Sequence, residues 1–341
     1  MRAVQLIEIE KDLENREVQT PKPQSDEVLV RIKASGICHS DVHYRDGISS
    51  VDHLPITLGH EIAGVIEEIG TNVTSFQKGD RVCVNYMITC GECHFCIIGS
   101  EQFCEKGKMM GKDVNGGYAE YIAVPSRGIY KLPDSVPFEH AAVMMCSTAT
   151  SFHALKKTRF QPGETIAIFG FGGLGVSAFQ LAKIIGARDI YAIDIAPEKL
   201  QTAKKMGAIP INSRETNPVE KILELTNGFG VDVALELVGL PQTLDQGFRV
   251  LARFGRLGLV GITRGSFEID SYGAICKEKE LIGCSDHLLS ELPALLDLAE
   301  QGKLDLNQVV TKKVPLEASE INIIHHQLKD FKADIRTVIV P

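Results

Sequence analysis

The sequence lacks an uninterrupted apolar segment long enough to cross a membrane, for which about 20 consecutive apolar residues are needed. The longest charge-free run extends from Thr165 to the residue before Lys183, and four glycines interrupt it. The first 17 residues contain five acidic side chains and no apolar stretch of signal-peptide length. These absences predict a cytoplasmic protein that has no membrane partner.

The sequence also lacks an excess of positive charge. It has 36 lysines and arginines against 44 acidic residues, which gives a net charge of −8. A chain of this charge has no long-range attraction to nucleic acid or anionic lipid, so we expect neither as a partner. It contains no internal repeat, low-complexity segment or long linker. At roughly 150 residues per domain, a length of 341 residues predicts about two domains.

Three stretches of the chain differ in their pattern. Residues 1–147 contain short Val and Ile runs separated by Gly, Pro and Asp, which is typical of β-structure. Residues 148–284 alternate apolar strands with helical segments, two of which begin at Pro218 and Pro241. This alternation predicts a doubly wound parallel sheet and an α/β fold class. In residues 285–341 we expect a helix near 288–301 and a final strand, RTVIVP, that returns to the first stretch.

Four of the nine cysteines lie within fifteen residues, in the segment CGECHFCIIGSEQFC. In a reducing cytosol this crowding fits metal ligation better than disulfides. Four thiolates close the tetrahedral shell of zinc and leave no open position, so the predicted site is structural. An iron–sulfur cluster is the alternative. No Lys or Arg lies between the first and last cysteine, which disfavours a nucleic-acid-binding zinc knuckle. The predicted ligands are Cys90, Cys93, Cys96 and Cys104.

A second set of metal-binding residue types is dispersed over GICHSDVHYRDG, LGHEIAG and MMCSTAT. Cys38, His60 and Cys146 would supply two thiolates and one imidazole, a set that suits zinc with a vacant fourth position. Such an open site is catalytic. Asp41 could accept the second ring proton of His60 and fix its tautomer. For Glu61 the alternatives are an outer-sphere carboxylate, an intermittent ligand or a structural ion pair.

A glycine-rich turn, GFGGLG, follows an apolar strand and opens a helical segment. Its glycines allow backbone N–H groups to approach a pyrophosphate at the helix N-terminus. Asp194 stands at the end of the next strand, where a carboxylate hydrogen-bonds ribose hydroxyls and repels a 2′-phosphate. No Lys or Arg occupies positions 195–197, so NAD is favoured over NADP. The predicted turn residues are Gly170, Gly172, Gly173 and Gly175.

Together, these segments and the terminal strand resemble the zinc-containing medium-chain alcohol dehydrogenase family over essentially the whole chain. The resemblance implies a GroES-like β-rich catalytic domain at 1–147 and 285–341, with a structural-zinc lobe at about 86–112. It implies a Rossmann dinucleotide-binding domain at 148–284. The implied cofactors are NAD and two zinc ions per subunit. The implied reaction is the reversible oxidation of a primary or secondary alcohol to an aldehyde or ketone, with hydride transfer from a zinc-bound alkoxide to NAD.

The resemblance also implies roles for individual residues. A proton leaving a dry site needs a hydroxyl and an imidazole as a relay, and Ser40 and His43 match the family's relay positions. The family usually places Gly before the terminal-strand arginine, whereas this chain has Ile335. The remaining cofactor contacts are His39 and Arg336 at the pyrophosphate, Thr150 and Leu174 near the nicotinamide, and Lys199 assisting Asp194 at the ribose.

Substrate choice is less well indicated. Tyr86 matches a position where the family usually has a bulky pocket residue, although an aromatic beside a strand end is also typical of plain core. Cys146 at the third-ligand position fits alcohol dehydrogenases, whereas the related polyol dehydrogenases tend to have glutamate there. A sorbitol-type polyol dehydrogenase is therefore the second hypothesis, and a non-catalytic NAD-binding zinc scaffold is the third. The family implies a homotetramer, with a homodimer as the alternative.

Overall fold

The computed structural model describes residues 1–262, 265–330 and 335–341. Within it the chain forms two compact units. Unit one comprises Met1–Cys146 and Leu288–Pro341, and unit two comprises Ser147–His287. These boundaries lie one and three residues from the positions predicted from the sequence. No helix among the described residues is long and apolar enough to span a membrane.

The N-terminal part of unit one is built from strands with short helices between them. Its helices are α1 (His39–Arg45), α2 (His94–Ile97) and α3 (Phe138–Val143). Its strands are β1 (Arg2–Leu6), β2 (Glu14–Glu17), β3 (Glu27–Ile37), β4 (Ile56–Thr57), β5 (Glu61–Ile69), β6 (Arg81–Val84), β7 (Met87–Ile88), β8 (Lys108–Met109), β9 (Tyr121–Pro125) and β10 (Ile129–Lys131).

Unit two alternates strands and helices, as the sequence pattern predicted. Its helices are α4 (Ala149–Lys157), α5 (Gly173–Ile185), α6 (Pro197–Met206), α7 (Pro218–Leu225), α8 (Pro241–Arg249) and α9 (Ser271–Lys277). Its strands are β11 (Ile166–Phe169), β12 (Ile190–Asp194), β13 (Ile209–Asn212), β14 (Val231–Glu236), β15 (Leu251–Leu259) and β16 (Glu280–Gly283).

The C-terminal part returns to unit one with α10 (Leu292–Glu300), β17 (Lys312–Pro315), α11 (Ala318–Lys329) and β18 (Thr337–Val340). Strand β18 pairs antiparallel with β3, so the predicted final strand is present and completes the sheet of unit one. That sheet has the order β10-β6-β5-β3-β18-β17, with β9 also pairing with β3. Buried apolar side chains from both of its sequence segments form the core beside it.

The six strands of unit two form one parallel sheet in the order β13-β12-β11-β14-β15-β16. Numbered within the unit this order is 3-2-1-4-5-6, the doubly wound arrangement that binds dinucleotides at the carboxyl ends of its strands. Local sequence sets the ends of its helices. Helix α6, for example, begins at Pro197 and ends before Gly207, whose φ of 101° is favourable for glycine. The predicted helices at Pro218 and Pro241 are confirmed.

Candidate metal centres and cofactor site

Three predicted metal ligands come together in unit one. Cys38 lies between β3 and α1, His60 directly precedes β5, and Cys146 lies in a π-helical turn, Met144–Thr148. All three side chains are buried. Together with Glu61 they offer four ligand atoms within 4.8 Å of one another, which we call the ligand cluster. Irregular turns of this kind are frequent at functional sites, and here the turn carries the predicted ligand Cys146.

The chemistry of the ligand cluster fits zinc. A hydrogen bond from the Cys146 thiol lowers the pKa of Cys38 well below its usual range, although burial opposes the shift. This favours the thiolate of Cys38, the form that binds metal, while the hydrogen bond to Cys38 and burial raise the pKa of Cys146. Two thiolates and one imidazole are a known ligand set of catalytic zinc sites, which keep a further position open. Cys38, His60 and Cys146 are therefore the residues that would hold the ion.

Asp41 connects two of the ligand-bearing segments. Its Oδ2 accepts a hydrogen bond from the backbone N–H of Cys38 at 2.8 Å, and its Oδ1 accepts one from Gly59 at 3.3 Å. Oδ1 also lies 3.4 Å from Nδ1 of His60, which is at the long end of hydrogen-bonding distance. A proton on Nδ1 facing Asp41 leaves Nε2 of His60 as the metal-binding nitrogen. Nδ1 of His60 has no hydrogen-bond partner among the described residues, so the role predicted for Asp41 stays a prediction.

Glu61 and Arg336 form a buried ion pair beside these ligands. Nη2 of Arg336 donates to Oε1 of Glu61, and Nη1 donates to the carbonyl oxygen of Ile37 at 2.9 Å. The other carboxylate oxygen, Oε2, is buried and has no hydrogen-bond partner among the described residues. Gly36 leaves room for it, because a Cβ there would lie 1.9 Å from Oε2. One oxygen of Glu61 is thus paired while the other can turn toward a metal.

This arrangement bears on two predictions. The structural ion pair, one of the alternatives for Glu61, is present, and an intermittent ligand role through Oε2 stays a prediction. Arg336 was predicted to contact the cofactor pyrophosphate, but its described contacts lie at Glu61 and Ile37. Its cofactor contact also stays a prediction.

The predicted relay residues lie on α1. Oγ of Ser40 is 3.7 Å from Sγ of Cys38, so this hydroxyl adjoins the ligand cluster. The ring of His43 packs edge-on against that of His39, with ring centres 4.9 Å apart. Burial lowers the pKa of His43, so its imidazole is neutral near pH 7 and able to accept a proton. The structure therefore places Ser40 beside the metal ligands, and the proton relay and the cofactor contact of His39 remain predictions.

Tyr86 contacts the predicted metal ligand His60 directly. Its ring packs edge-on against His60, with ring centres 5.1 Å apart, and 2% of its surface is exposed. It also belongs to the buried apolar cluster of unit one. Both expectations for Tyr86, a pocket residue and a core residue, are compatible with this position.

The other four predicted ligands form a separate cluster in a lobe closed by the pairing of β7 with β8. The Sγ atoms of Cys90 and Cys96 are 3.9 Å apart, and so are those of Cys93 and Cys104. Four sulfurs bound at 2.3 Å to one tetrahedral ion would lie about 3.8 Å apart. Backbone N–H groups lower the pKa of Cys93 to about 6, which favours its thiolate. The cluster fits a single zinc ion better than an iron–sulfur cluster, whose thiolates bind different iron atoms.

The glycine-rich turn of unit two lies between β11 and α5. Gly170 has a φ of 93°, which glycine adopts without strain. A Cβ at Gly175 would lie 2.1 Å from the carbonyl oxygen of Gly170, so glycine is required for the helix to pack against the turn. A Cβ at Gly172 would meet no atom of the described residues within 4 Å, which leaves that side open to a ligand. The turn and the N-terminus of α5, beginning with Gly173, thus fit a pyrophosphate.

Asp194, at the end of β12, contacts this turn. Its Oδ2 accepts a hydrogen bond from the N–H of Phe171 at 2.7 Å. Its Oδ1 accepts from the N–H groups of Ile195 and Ala196 at 2.7 and 3.0 Å. The carboxylate is therefore held rigidly beside the expected cofactor site, and its contact with the ribose stays a prediction.

The other predicted cofactor residues lie at different points of unit two. Thr150 is in the first turn of α4, and Lys199 is in the first turn of α6, after Asp194. The carbonyl oxygen of Leu174 accepts a hydrogen bond from Ser151 at 2.9 Å, which joins α5 to α4. These positions leave the predicted roles of all three residues open.

Asp194→Ala is expected to raise the ratio of kcat/KM with NADP to that with NAD at least about tenfold. The reason is that a like-charge contact costs several kcal/mol, and the variant removes the carboxylate that we predict to face the 2′ position. Initial rates with both cofactors measure the ratio, which is insensitive to a general loss of active protein. Asp189→Ala, at a half-exposed acid just before β12, is the control. An unchanged ratio in Asp194→Ala would discredit the ribose assignment.

Known proteins resemble this chain along its full length. Residues 24–134 match the family model of the alcohol dehydrogenase GroES-like domain, and residues 173–301 match that of the zinc-binding dehydrogenase. A protein of Sulfurisphaera tokodaii named NAD-dependent alcohol dehydrogenase is 38% identical over 100% of both chains. The alcohol dehydrogenase TADH from Thermus sp. ATN1 has a TM-score of 0.91 at 31% identity, covering 100% of this chain and 99% of that one. Sorbitol dehydrogenase of Bacillus subtilis is 35% identical over 88% of this chain and 86% of its own length.

The two matched domains define a zinc-binding dehydrogenase. The chain belongs to the zinc-containing medium-chain alcohol dehydrogenase family, as its motifs indicated. The predicted fold class, a GroES-like domain with a Rossmann domain, is confirmed. The sequence analysis did not identify Gly36 or the residue that donates a further hydrogen bond to Asp41, Tyr118. The segment GGY before β9 was the available signal, because glycine permits a close approach of the backbone to its neighbours.

Proposed function

We propose that this chain is an NAD-dependent zinc alcohol dehydrogenase that reversibly oxidises primary or secondary alcohols to aldehydes or ketones. The main observation behind the proposal is that the side chains of Cys38, His60 and Cys146 are buried and lie close together. They offer two thiolates and an imidazole. Such a set suits zinc with an open position, whereas a structural site would be closed by protein. The pyrophosphate-fitting turn of unit two supports the choice of a dinucleotide as the second cofactor.

The chain's own residues supply binding and proton transfer. When bound, zinc supplies a Lewis acid that acidifies a hydroxyl group, and NAD supplies the hydride acceptor. Ser40 adjoins the ligand cluster, so its hydroxyl can accept the proton that the alcohol loses and donate its own. His43, one helical turn further along α1, is neutral because of its burial and can receive that proton. Tyr86 packs against His60 and narrows the space beside the ligands.

A polyol dehydrogenase is the second candidate function. The similarity to Bacillus subtilis sorbitol dehydrogenase favours it, but that similarity covers less of both chains than the match to the Sulfurisphaera tokodaii alcohol dehydrogenase. Cys146 also opposes it, since polyol dehydrogenases tend to have glutamate at that position. Simple alcohols are therefore the better proposal.

A screen of NADH formation over primary, secondary, aromatic and polyol substrates tests the proposal. We expect turnover of simple alcohols that a chelator abolishes and added zinc restores. Turnover restricted to sorbitol-like substrates would favour the second candidate. Cofactor binding without turnover of any alcohol, aldehyde or ketone would favour the third hypothesis, a non-catalytic NAD-binding zinc scaffold.

We also propose that the chain forms a homotetramer built from dimers, in which β16 of two copies pairs across a two-fold axis. Strand β16 lies at the end of its sheet and pairs only with β15 in the described part of the chain. Large apolar side chains of this strand and of the preceding helix α9 are exposed: Leu281 of β16 at 41%, and Tyr272 and Ile275 of α9 at 77 and 76%. An open edge with an apolar surface is suited to pairing with another strand.

Ile275→Asp is therefore expected to reduce the native mass to half or less, because a charge would be buried without a partner. Light scattering coupled to size-exclusion chromatography measures the mass. Phe229→Asp, which also replaces an exposed apolar residue of unit two, should leave the mass unchanged. An identical mass for Ile275→Asp and the unsubstituted protein would exclude this interface.

A cytoplasmic location is proposed on the cysteine chemistry. All nine cysteines are free, and both thiolate clusters need a reducing compartment to stay reduced. Recovery of the protein in the cytoplasmic fraction of lysed cells would support the location, and recovery outside the cell would contradict it.

A further inference from the structure

Tyr118 is a fully buried tyrosine next to the metal ligands, and the proposed reaction assigns it no role. Its hydroxyl donates a hydrogen bond to Oδ2 of Asp41 at 2.9 Å. Asp41 also accepts hydrogen bonds from the backbone N–H groups of Cys38 and Gly59, and it faces Nδ1 of His60. Tyr118 is thus a further donor to the carboxylate that connects the two ligands.

The Tyr118 segment also fixes the backbone next to His60. The N–H groups of Gly116, Gly117 and Tyr118 donate to the carbonyl oxygens of Thr57, Gly59 and Leu58, at 2.7, 2.7 and 3.0 Å. The ring covers Gly59, where a Cβ would lie 2.3 Å from Cδ1 of Tyr118. Gly59 immediately precedes His60, so both the ring and the hydroxyl act on the segment that carries this ligand.

His325 of α11 stands behind Tyr118. Its Nε2 lies 3.5 Å from the tyrosine oxygen, and its side chain is fully buried. The hydroxyl proton of Tyr118 is directed to the carboxylate, which only accepts hydrogen bonds, so the oxygen can accept from His325 in the tautomer that carries its proton on Nε2. Burial lowers the pKa of His325 to about 4, so the ring is neutral. Burial likewise raises the pKa of Tyr118, so its hydroxyl keeps its proton.

We propose that Tyr118 is a positioning residue for the metal ligand His60: it acts through Asp41 and raises the affinity of the ligand cluster for zinc. The inference rests on the proposed function, because it requires that Cys38, His60 and Cys146 bind zinc. Without the hydroxyl, Oδ2 of Asp41 keeps one donor instead of two, and the carboxylate is free to turn away from His60. Outer-sphere partners of ligating histidines commonly change metal affinity 10- to 100-fold.

The test compares Tyr118→Phe with Tyr130→Phe. The control removes another tyrosine hydroxyl of unit one, which donates to the carbonyl oxygen of Leu289 at 3.1 Å and lies outside the ligand cluster. Zinc dissociation constants are measured by competition with a chromophoric chelator. Cys38→Ser, which should keep only the structural ion, identifies which of the two constants belongs to the ligand cluster.

We expect Tyr118→Phe to raise the dissociation constant of the ligand cluster at least about tenfold and to leave that of the four-cysteine cluster unchanged. Tyr130→Phe should change neither constant, even if it lowers the melting temperature. With cobalt in place of zinc, the absorption bands of the ligand cluster should shift in Tyr118→Phe only. A purely structural role would lower the melting temperature without these changes, and that result would overturn the inference.

A second variant keeps the test decisive if Tyr118→Phe does not fold. His325→Leu removes the donor behind Tyr118, so it should raise the same dissociation constant, by less than Tyr118→Phe does. If it folds and binds both ions as tightly as Tyr130→Phe, the inference fails. If the unsubstituted protein binds only one zinc ion, the proposed function fails instead, and the inference fails with it.

Discussion

Cys38→Ser is expected to lower kcat/KM for alcohol oxidation at least about a thousandfold, while the protein folds and binds one zinc ion instead of two. Lewis-acid stabilisation by a metal contributes several kcal/mol to a transition state, and about 4 kcal/mol corresponds to a thousandfold in rate. Serine is a poor ligand for zinc where a thiolate is required. Elemental analysis and NADH-linked rates measure the two effects, and Cys146→Ser should behave in the same way.

Cys83→Ser is the matched control for this result. Cys83 is a fully buried cysteine of unit one on β6, and it belongs to neither ligand set. Its replacement should reduce stability through the buried hydroxyl and leave the zinc content at two. Normal turnover by Cys38→Ser or Cys146→Ser would remove that residue from the ligand set, whatever the control shows.

Cys93→Ser is expected to lower the apparent melting temperature by at least about 10 °C and to remove one zinc ion. Structural zinc contributes on the order of 10 kcal/mol to the folding of small zinc domains. At about 2.1 cal/mol/K of unfolding entropy per residue, a loss of that size corresponds to about 14 °C for this chain of 341 residues. Burial of apolar side chains contributes little to the stability of this lobe, because Ile97, Ile98 and Phe103 are all exposed. Differential scanning calorimetry with zinc analysis measures the change.

A control variant and an activity measurement test this prediction further. Cys276→Ser removes an exposed cysteine outside both ligand sets and should change neither melting temperature nor zinc content. Cys93→Ser molecules that remain folded should keep the zinc of the ligand cluster, so the specific activity per folded molecule should stay substantial. An unaltered melting temperature with two bound zinc ions would refute the closed four-cysteine site.

The fold of unit two was largely predictable, because its elements carry clear end signals. Proline at the first helical turn and glycine after the last marked helices such as α6. The edge strands β13 and β16, by contrast, were not indicated by the sequence pattern. Pro210 weakens the strand pattern of β13, and proline is tolerated only because that strand lies at an edge. The side chains of β16 are exposed or half-buried on both faces, so it shows no alternation.

The metal ligands could be predicted because cysteine and histidine have a restricted chemistry, so their spacing is informative. The residues that support them could not. Tyrosine and glycine are common residue types, and only the fold shows that Tyr118 meets Asp41 or that Gly36 makes room for Glu61. The pairing of Glu61 with Arg336 joins positions 275 residues apart, and no local pattern indicates it.

The position of β18 in the sheet of unit one has a consequence for the order of events during translation. Thr337 pairs with Ile37, the residue before Cys38, and Arg336 reaches the same strand. Unit two is contiguous, so it can fold on the ribosome while unit one still lacks β17, β18 and Arg336. The ligand cluster therefore acquires its full surroundings only when the last strand has been synthesised.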